Sequence, residues 1–119
     1  MKSALNTLAA SQPEEGGRRI AILGDMFELG SESPAMHAEV GVHAALKKPD
    51  LLVAVGNDAR YYVEGAKELG AEKILYYPDK KELLETVDLV VQPGDVVLVK
   101  ASRGMAMEKI VKEIIKDKE

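Results

Sequence analysis

Short apolar runs alternate along the chain with longer segments of helical spacing. Apolar runs lie within residues 20–23, 51–55, 73–77 and 95–100, and uninterrupted runs of this kind are typical of strands buried on both faces of a parallel sheet. The segments between them place apolar residues three and four positions apart, which is the spacing of one helix face. Because strand and helix alternate, the sequence predicts a three-layer α/β/α, Rossmann-like domain with a mainly parallel sheet of about four strands and right-handed crossovers.

Capping signals give the predicted helices their ends. Ser33 before Pro34 is typical of an N-cap followed by the first helical position. Asp79 with Glu82 predicts a capping box for a short helix, and residues 107–115 carry one continuous apolar face. The residues predicted to face inward are Met36, Val40, Ala44 and Leu46 in the helix after Ser33, and Tyr62, Ala66 and Leu69 in the next helix, which Gly70 ends.

Two of the predicted strands are followed by unusual residues. Residues 24–30 combine two acids with three large apolar side chains, and residues 100–104 include Lys100 and Arg103. The residues after the second and third strands, 56–58 and 78–79, resemble plain turns and caps. With the strand order 4-1-2-3, both unusual loops flank the switch point of the sheet, where open α/β sheets bind ligands. The sequence therefore predicts a cleft with carboxylates on one wall and cations on the other, which suits a zwitterion.

Each candidate residue also has a purely structural interpretation. Asp25 and Glu28 are also explained as solvated loop acids or helix-start residues, and for Glu28 this interpretation is as good as the functional one. Arg103 is also explained as a surface residue, although the start of the last helix also favours an anion. His37 either hydrogen-bonds into the acidic loop or is a partly exposed helix histidine, and the second interpretation is favoured. The spacing of His37 and His43 argues against a metal pair. Ser102 is better explained as a cap than as a nucleophile.

Composition excludes several classes of protein. The chain has no cysteine, which rules out disulfides and cysteine-bound zinc and fits a reducing cytoplasm. A net charge of −4 and few aromatic residues argue against nucleic acid as a partner. The absence of long apolar runs argues against membrane insertion. Neither GxxxxGK[ST] nor a GxGxxG after a strand occurs, so the sequence shows no motif for holding ATP or a dinucleotide.

Several motifs, taken together, resemble those of one enzyme family. They are GDMFELG at 24–30, Met36-His37 and Gly41, PGDVVLVKASR at 93–103, and Met107-Glu108. This combination resembles the C-terminal domain of Mur ligases, and within that family the branch that adds D-alanyl-D-alanine. The similarity covers essentially the whole chain. Ala101 is a departure, since the family usually has glycine there, and it leaves the conformation of that loop open.

The resemblance implies a role within a larger, ADP-forming ligase of peptidoglycan precursor synthesis. Residues 1–119 would be its amino-component-binding lid, with the N-terminal and central ATP-binding domains absent from this chain. ATP would phosphorylate the carboxylate of UDP-MurNAc-tripeptide, and the amine of D-Ala-D-Ala would attack the acyl phosphate. ATP and Mg²⁺ would be bound mainly by the missing domains, with no cofactor, metal or catalytic residue in this fragment, which alone would be inactive. The implied substrate-binding residues are Asp25, Met26, Glu28, His37, Lys100, Ser102 and Arg103.

Two alternatives stay open at the level of sequence. The chain could be a freestanding Rossmann-like small-molecule-binding or interaction module without catalysis, or belong to a sibling ligase that adds a different amino acid. The loop at 24–30 argues against the siblings. The resemblance further implies that two strands precede residue 1, so the outer edge of the fourth strand would lack its neighbour. We expect this edge to be covered by the helix at 1–10 or to mediate self-association.

Overall fold

Four parallel strands form one sheet in a computed structural model that describes residues 5–6, 10, 17–26, 30–47, 49–70, 73–91 and 95–100. The strand order is β3-β2-β1-β4, which is the predicted order 4-1-2-3 counted from the opposite edge. Every neighbouring pair is parallel, as the apolar runs indicated. The strands are β1 (Arg19–Gly24), β2 (Leu51–Val55), β3 (Ile74–Tyr77) and β4 (Val96–Lys100).

Helices cover both faces of this sheet. Within the described residues, a short 3-10 helix (Gly30–Glu32) precedes α1 (Ser33–Leu46), and α2 (Arg60–Glu68) and α3 (Lys80–Val90) follow. Alternate residues of β1 and β2 pack against α1 and α2 on one face, whereas the intervening residues pack against α3 on the other. The three-layer α/β/α prediction is therefore confirmed. The predicted helix at 107–115 lies outside the described residues.

Helices α1 and α2 approach each other through glycines rather than through large side chains. A Cβ at Gly41 would lie 2.8 Å from the carbonyl carbon of Tyr62, and one at Gly65 would lie 2.9 Å from that of Ala38. Because real Cβ atoms essentially never come so close to backbone, only glycine permits this approach. The contact brings the first turn of α2 close to α1, and both helices then lie beside the carboxyl end of β1.

Several details of the helices differ from the sequence-based predictions. Glu32 rather than Ser33 occupies the N-cap position of α1, and it makes no side-chain capping bond. The hydroxyl of Ser33 makes a tertiary contact instead, which is described below. Leu69 is 47% exposed, since it lies one residue beyond the end of α2. The backbone of Gly70 has a φ of 80°, as expected after a helix end. The N–H of Glu82 donates to the carboxylate of Asp79 at 2.9 Å, as the predicted cap requires.

Aspartates also fix the amino ends of the strands. Asp95 accepts hydrogen bonds from the backbone N–H of Arg18 at 2.8 Å and from its guanidinium at 3.0 Å. The carboxylate of Asp50 accepts a bond from the backbone N–H of Arg19 at 2.7 Å. The entries into β1, β2 and β4 are thus joined at this end of the sheet, and the opposite end, where the strands leave, carries the loops of interest.

The outer edge of β4 has no neighbouring strand among the described residues. Leu5, which is helical, is buried in the cluster formed with α1 and α2, and Asn6 contacts His43 of α1 at 3.1 Å. These two residues therefore lie on the α1 face of the sheet. None of the helices in the described ranges is long and apolar enough to cross a membrane.

Candidate functional site

The register of the sheet brings the ends of the first and fourth strands together. Leu23 is paired with Lys100, and Gly24 is paired with Val55 on the other side of β1. The exposed Lys100 is therefore one strand away from the start of the 24–30 loop. The predicted juxtaposition of the two strand ends at one edge of the sheet is confirmed. Glu28, Ser102 and Arg103 lie outside the described residues.

Asp25 is the first charged residue after β1, and the residue is only 7% exposed. One oxygen, Oδ1, accepts a hydrogen bond from the backbone N–H of Ala59 at 2.7 Å, and the other, Oδ2, accepts one from Asn57 at 2.9 Å. These N–H groups precede α2, where a helix leaves donors unpaired and favours negative charge. The carboxylate thus faces the loop after β2, on the side of β1 away from β4.

The turn after β2 is shaped to receive this carboxylate. Gly56 has a φ of 128°, and a Cβ there would lie 2.5 Å from Oδ1 of Asp25. Any other residue would therefore be strained by its backbone and would also displace the carboxylate. The interpretation of residues 56–58 as a plain turn is wrong, because the backbone N–H of Asn57 in this turn donates one of the two hydrogen bonds that hold the carboxylate of Asp25.

Tyr62 holds the residue before Asp25. Its hydroxyl, fully buried, donates a hydrogen bond of 2.8 Å to the carbonyl oxygen of Gly24. Burial raises the pKa of the Tyr62 hydroxyl well above its usual range, and the negative charge of Asp25 raises it further. The phenol is therefore held in its neutral, donating form next to the buried carboxylate.

His37 holds the residue after Asp25. Its side chain is fully buried, so the favoured interpretation of a partly exposed helix histidine is wrong. The backbone N–H of Met26 donates to Nε2 at 3.0 Å, and Nδ1 lies 2.8 Å from the carbonyl oxygen of Ser33. Its ring also packs against that of Tyr62, with the centroids 4.8 Å apart. The burial of His37 could not be predicted from apolar periodicity, because a histidine counts as a polar residue that interrupts the apolar face of a helix.

Three of the predicted site residues, Asp25, Met26 and His37, therefore belong to one hydrogen-bonded cluster, whereas Lys100 lies at the exposed end of the neighbouring strand β4. The cluster fixes the start of the 24–30 loop. In the described residues no group of three or more acidic or histidine side chains could hold a metal ion. The roles of all seven residues toward a substrate stay predictions.

A cavity of about 520 Å³ lies elsewhere, extending from the amino ends of β1 and β2 along β3 to Tyr77. Its lining includes Arg18, Asp50 and Lys73, which precede β1, β2 and β3, together with Val90 of α3. It is thus separated from the strand ends that carry both unusual loops. Open α/β sheets bind ligands at the carboxyl ends of their strands, so we place the candidate site at the loops rather than in this cavity.

Comparison with known proteins places these motifs in a family. The profile described as "Mur ligase, glutamate ligase domain" matches residues 1–103. The UDP-N-acetylmuramoyl-tripeptide–D-alanyl-D-alanine ligase of Bacillus subtilis is 38% identical over 100 residues, which are 83% of this chain and 22% of that protein. A crystal structure of MurF from Acinetobacter baumannii superposes with a TM-score of 0.83 at 28% identity, covering 98% of this chain and 25% of the other.

A second solved structure agrees in fold. MurF ligase from Thermotoga maritima, in complex with ADP, gives a TM-score of 0.71 at 25% identity, with 97% of this chain and 25% of that one covered. The chain thus spans about a quarter of the length of the relatives it matches. Since the family profile matches most of the chain and both solved structures share its fold, the chain belongs to the Mur ligase family and matches its C-terminal domain.

Proposed function

We propose that this chain is the amino-component-binding domain of an ATP-dependent ligase that adds D-Ala-D-Ala to UDP-MurNAc-tripeptide in peptidoglycan precursor synthesis. Residues 1–119 act in it as a lid, together with N-terminal and central ATP-binding domains. The enzyme works in the cytoplasm. The names of the relatives support this choice of substrates. The structural observation that supports it most directly is the pairing of Leu23 with Lys100, which puts the ends of two family motifs at one sheet edge.

In this proposal the domain positions an amine against an activated carboxyl carbon. The candidate side chains include a lysine ammonium and an arginine guanidinium for the carboxylate of the dipeptide. They also include carboxylates for the ammonium of the dipeptide. Because both carboxylate oxygens of Asp25 already accept backbone hydrogen bonds, the proposal assigns the contact with the ammonium to Glu28. Correct placement of two reactants can supply a large part of a rate enhancement. The residues proposed to contact the dipeptide or to shape its site are Asp25, Met26, Glu28, His37, Lys100, Ser102 and Arg103.

ATP and Mg²⁺ belong to the other domains in this proposal. The sequence has no phosphate-binding loop, and the described residues contain no cluster of three potential acidic or histidine metal ligands. ATP supplies the phosphoryl group that activates the tripeptide carboxylate, and no residue of this chain is assigned to that step. Calorimetric titration of the isolated chain with MgATP should therefore give no heat of binding, whereas micromolar affinity would contradict the placement.

Arg103 provides the test of dipeptide binding. A guanidinium can hold a carboxylate through two parallel hydrogen bonds, which a lysine ammonium cannot reproduce. In the full-length ligase, Arg103→Lys should lower kcat/KM for D-Ala-D-Ala by the equivalent of about 1–3 kcal/mol and leave the KM for ATP nearly unchanged.

Arg60→Lys is the matched control, because Arg60 lies exposed on α2 over the ring of Tyr61. It should leave the kinetics of both substrates unchanged. If Arg103→Lys lowers the melting temperature but preserves the dipeptide kinetics, Arg103 is structural. If only the ATP kinetics change, it faces the nucleotide, and the assignment fails.

A further inference from the structure

The protonation of His37 follows from its partners. A backbone N–H can only donate, so Nε2, which lies 3.0 Å from the N–H of Met26, must be the unprotonated acceptor. The proton is therefore on Nδ1, which lies 2.8 Å from the carbonyl oxygen of Ser33 and 3.1 Å from its hydroxyl. The imidazole is neutral, and it joins the loop after β1 to the first turn of α1. A second proton on Nε2 would replace the bond to Met26 with a repulsive contact.

The same connection extends to the loop after β2. The hydroxyl of Ser33 lies 2.8 Å from the Oδ2 of Asp58, to which it donates a hydrogen bond. Since the carboxylate can only accept when ionised, the Ser33 oxygen keeps its lone pairs for the Nδ1–H of His37. The Ser33 hydroxyl, which helps to orient His37, is thus itself held by Asp58. Packing against Tyr62 further confines the ring of His37.

Three consecutive residues are therefore anchored at the point where the chain leaves β1. The carbonyl of Gly24 is bound by Tyr62, the carboxylate of Asp25 by the loop after β2, and the N–H of Met26 by His37. Of these three anchors, only His37 acts on the main chain beyond Asp25. It is also fully buried with both ring nitrogens engaged, so a direct contact with a substrate would require the existing bonds to be exchanged.

We infer that His37 is a positioning residue for the incoming dipeptide: through the Met26 N–H it fixes the direction in which the loop leaves β1 at the carboxyl edge of the sheet. This inference rests on the proposed function and adds that the start of the loop, from Gly24 to Met26, is pre-organised before the substrate arrives. Main chain that is already held in place does not have to be ordered at the moment of binding, so losing the anchor weakens dipeptide use. The chemistry of ATP activation, assigned to other domains, is unaffected.

Two amide substitutions of His37 separate its hydrogen bond to Met26 from its hydrogen bond to the carbonyl of Ser33. The side-chain amide of asparagine reaches the position of Nδ1, so His37→Asn keeps a donor for the Ser33 carbonyl but loses the acceptor for Met26. The longer His37→Gln places an amide oxygen near the position of Nε2 and keeps that acceptor. In the full-length ligase, His37→Asn should raise the KM for D-Ala-D-Ala about tenfold, with the KM for ATP within twofold. His37→Gln should restore most of the dipeptide KM.

Amide exchange gives a readout that does not depend on ligation. In the 119-residue chain, the Met26 amide should exchange about tenfold faster in His37→Asn than in the wild type, and His37→Gln should again be close to the wild type. Should both variants fail to fold, replacing the Met26 peptide N–H by an ester oxygen removes the same bond with His37 in place. The ester has no Met26 amide to exchange, so in the full-length ligase it must instead reproduce the rise in the KM for D-Ala-D-Ala expected for His37→Asn.

The outcomes separate the inference from the proposed function. If the wild-type ligase does not use D-Ala-D-Ala, the proposed function fails, and exchange at Met26 still decides whether His37 anchors the loop. If the wild type ligates the dipeptide but asparagine and glutamine behave alike, or the KM values of all substrates rise together with falling stability, His37 is structural and the inference is overturned.

Discussion

Replacing Asp25 by asparagine tests whether this carboxylate is part of the fold. Both of its oxygens accept backbone hydrogen bonds, from Asn57 at 2.9 Å and from Ala59 at 2.7 Å, in a position that is 7% exposed. Asparagine has the same shape but only one accepting oxygen, so its NH2 group must face one of the two N–H donors. One bond is lost, the other loses its charge, and a donor before α2 is left without its partner.

The size of the effect follows from these losses. A hydrogen bond to a charged group contributes about 1.5–3 kcal/mol, and an unsatisfied buried donor costs about 1–3 kcal/mol. We therefore expect Asp25→Asn to lower the free energy of unfolding by about 2–3 kcal/mol, which corresponds to roughly 10 °C in melting temperature for a domain of this size. Relaxation of the loop would reduce this value, whereas the negative charge lost near the start of α2 would add to it.

Urea unfolding, followed by far-UV circular dichroism, measures the difference. Asp79→Asn is the matched control, since Asp79 is an exposed cap with one hydrogen bond, to the N–H of Glu82, and asparagine caps helices about as well as aspartate. It should change stability by less than about 0.5 kcal/mol. If Asp25→Asn is no more destabilising than Asp79→Asn, the structural role is refuted, and an effect confined to dipeptide KM would assign Asp25 to the substrate.

Three further predictions concern packing, pH and assembly. Gly41→Ala and Gly65→Ala should each destabilise the chain by about 1–3 kcal/mol in urea, because overlap with the facing helix backbone outweighs the gain of about 1 kcal/mol in helix propensity; an unchanged or higher midpoint would show that the helices are farther apart. Because the pKa of Tyr62 is raised in the folded chain, stability should fall as pH rises above about 10, where the unfolded phenol ionises. Tyr62→Phe should cost about 1 kcal/mol at neutral pH through the lost bond to Gly24 but flatten that alkaline decline, and an equally steep decline would contradict the assignment. The outer edge of β4, unpaired among the described residues, should support a reversible dimer in sedimentation velocity, and a chain that stays monomeric at every concentration would refute this.

The sheet could be predicted from the sequence because buried parallel strands leave a strong signal. The run at residues 51–55 is apolar throughout, since both of its faces are covered, and its limits agree with the observed strand β2. The predicted order 4-1-2-3 supposes that the first three strands lie side by side and that the fourth returns next to the first, and it places both unusual loops at the switch point, where such sheets bind ligands. These inferences depend on patterns that many residues share, so no single contact had to be foreseen.

The anchoring of the loop could not be predicted, since it depends on individual contacts. The buried face of α1 includes Ser33, His37, Gly41 and Ala44, whereas Met36 and Leu46, predicted to face inward, are 39% and 62% exposed. The buried positions keep helical spacing, but small and polar residues occupy most of them because glycines set the approach of α1 to α2, so the sequence shows no continuous stripe of large apolar side chains there. The role of Asp25 was hidden for a related reason: its partners are backbone N–H groups, which carry no sequence signature.

The measurement that tests the central claim most directly is the choice of amino component by the full-length ligase. The enzyme would be given UDP-MurNAc-tripeptide and MgATP with either D-Ala-D-Ala or D-glutamate, and the products identified by mass spectrometry. The description of the family profile names a glutamate ligase domain, whereas the Bacillus subtilis relative is named UDP-N-acetylmuramoyl-tripeptide–D-alanyl-D-alanine ligase. We expect a product heavier than the tripeptide substrate by two alanine residues, and none with glutamate. A glutamate adduct, or no ligation with the dipeptide, would contradict the proposed function.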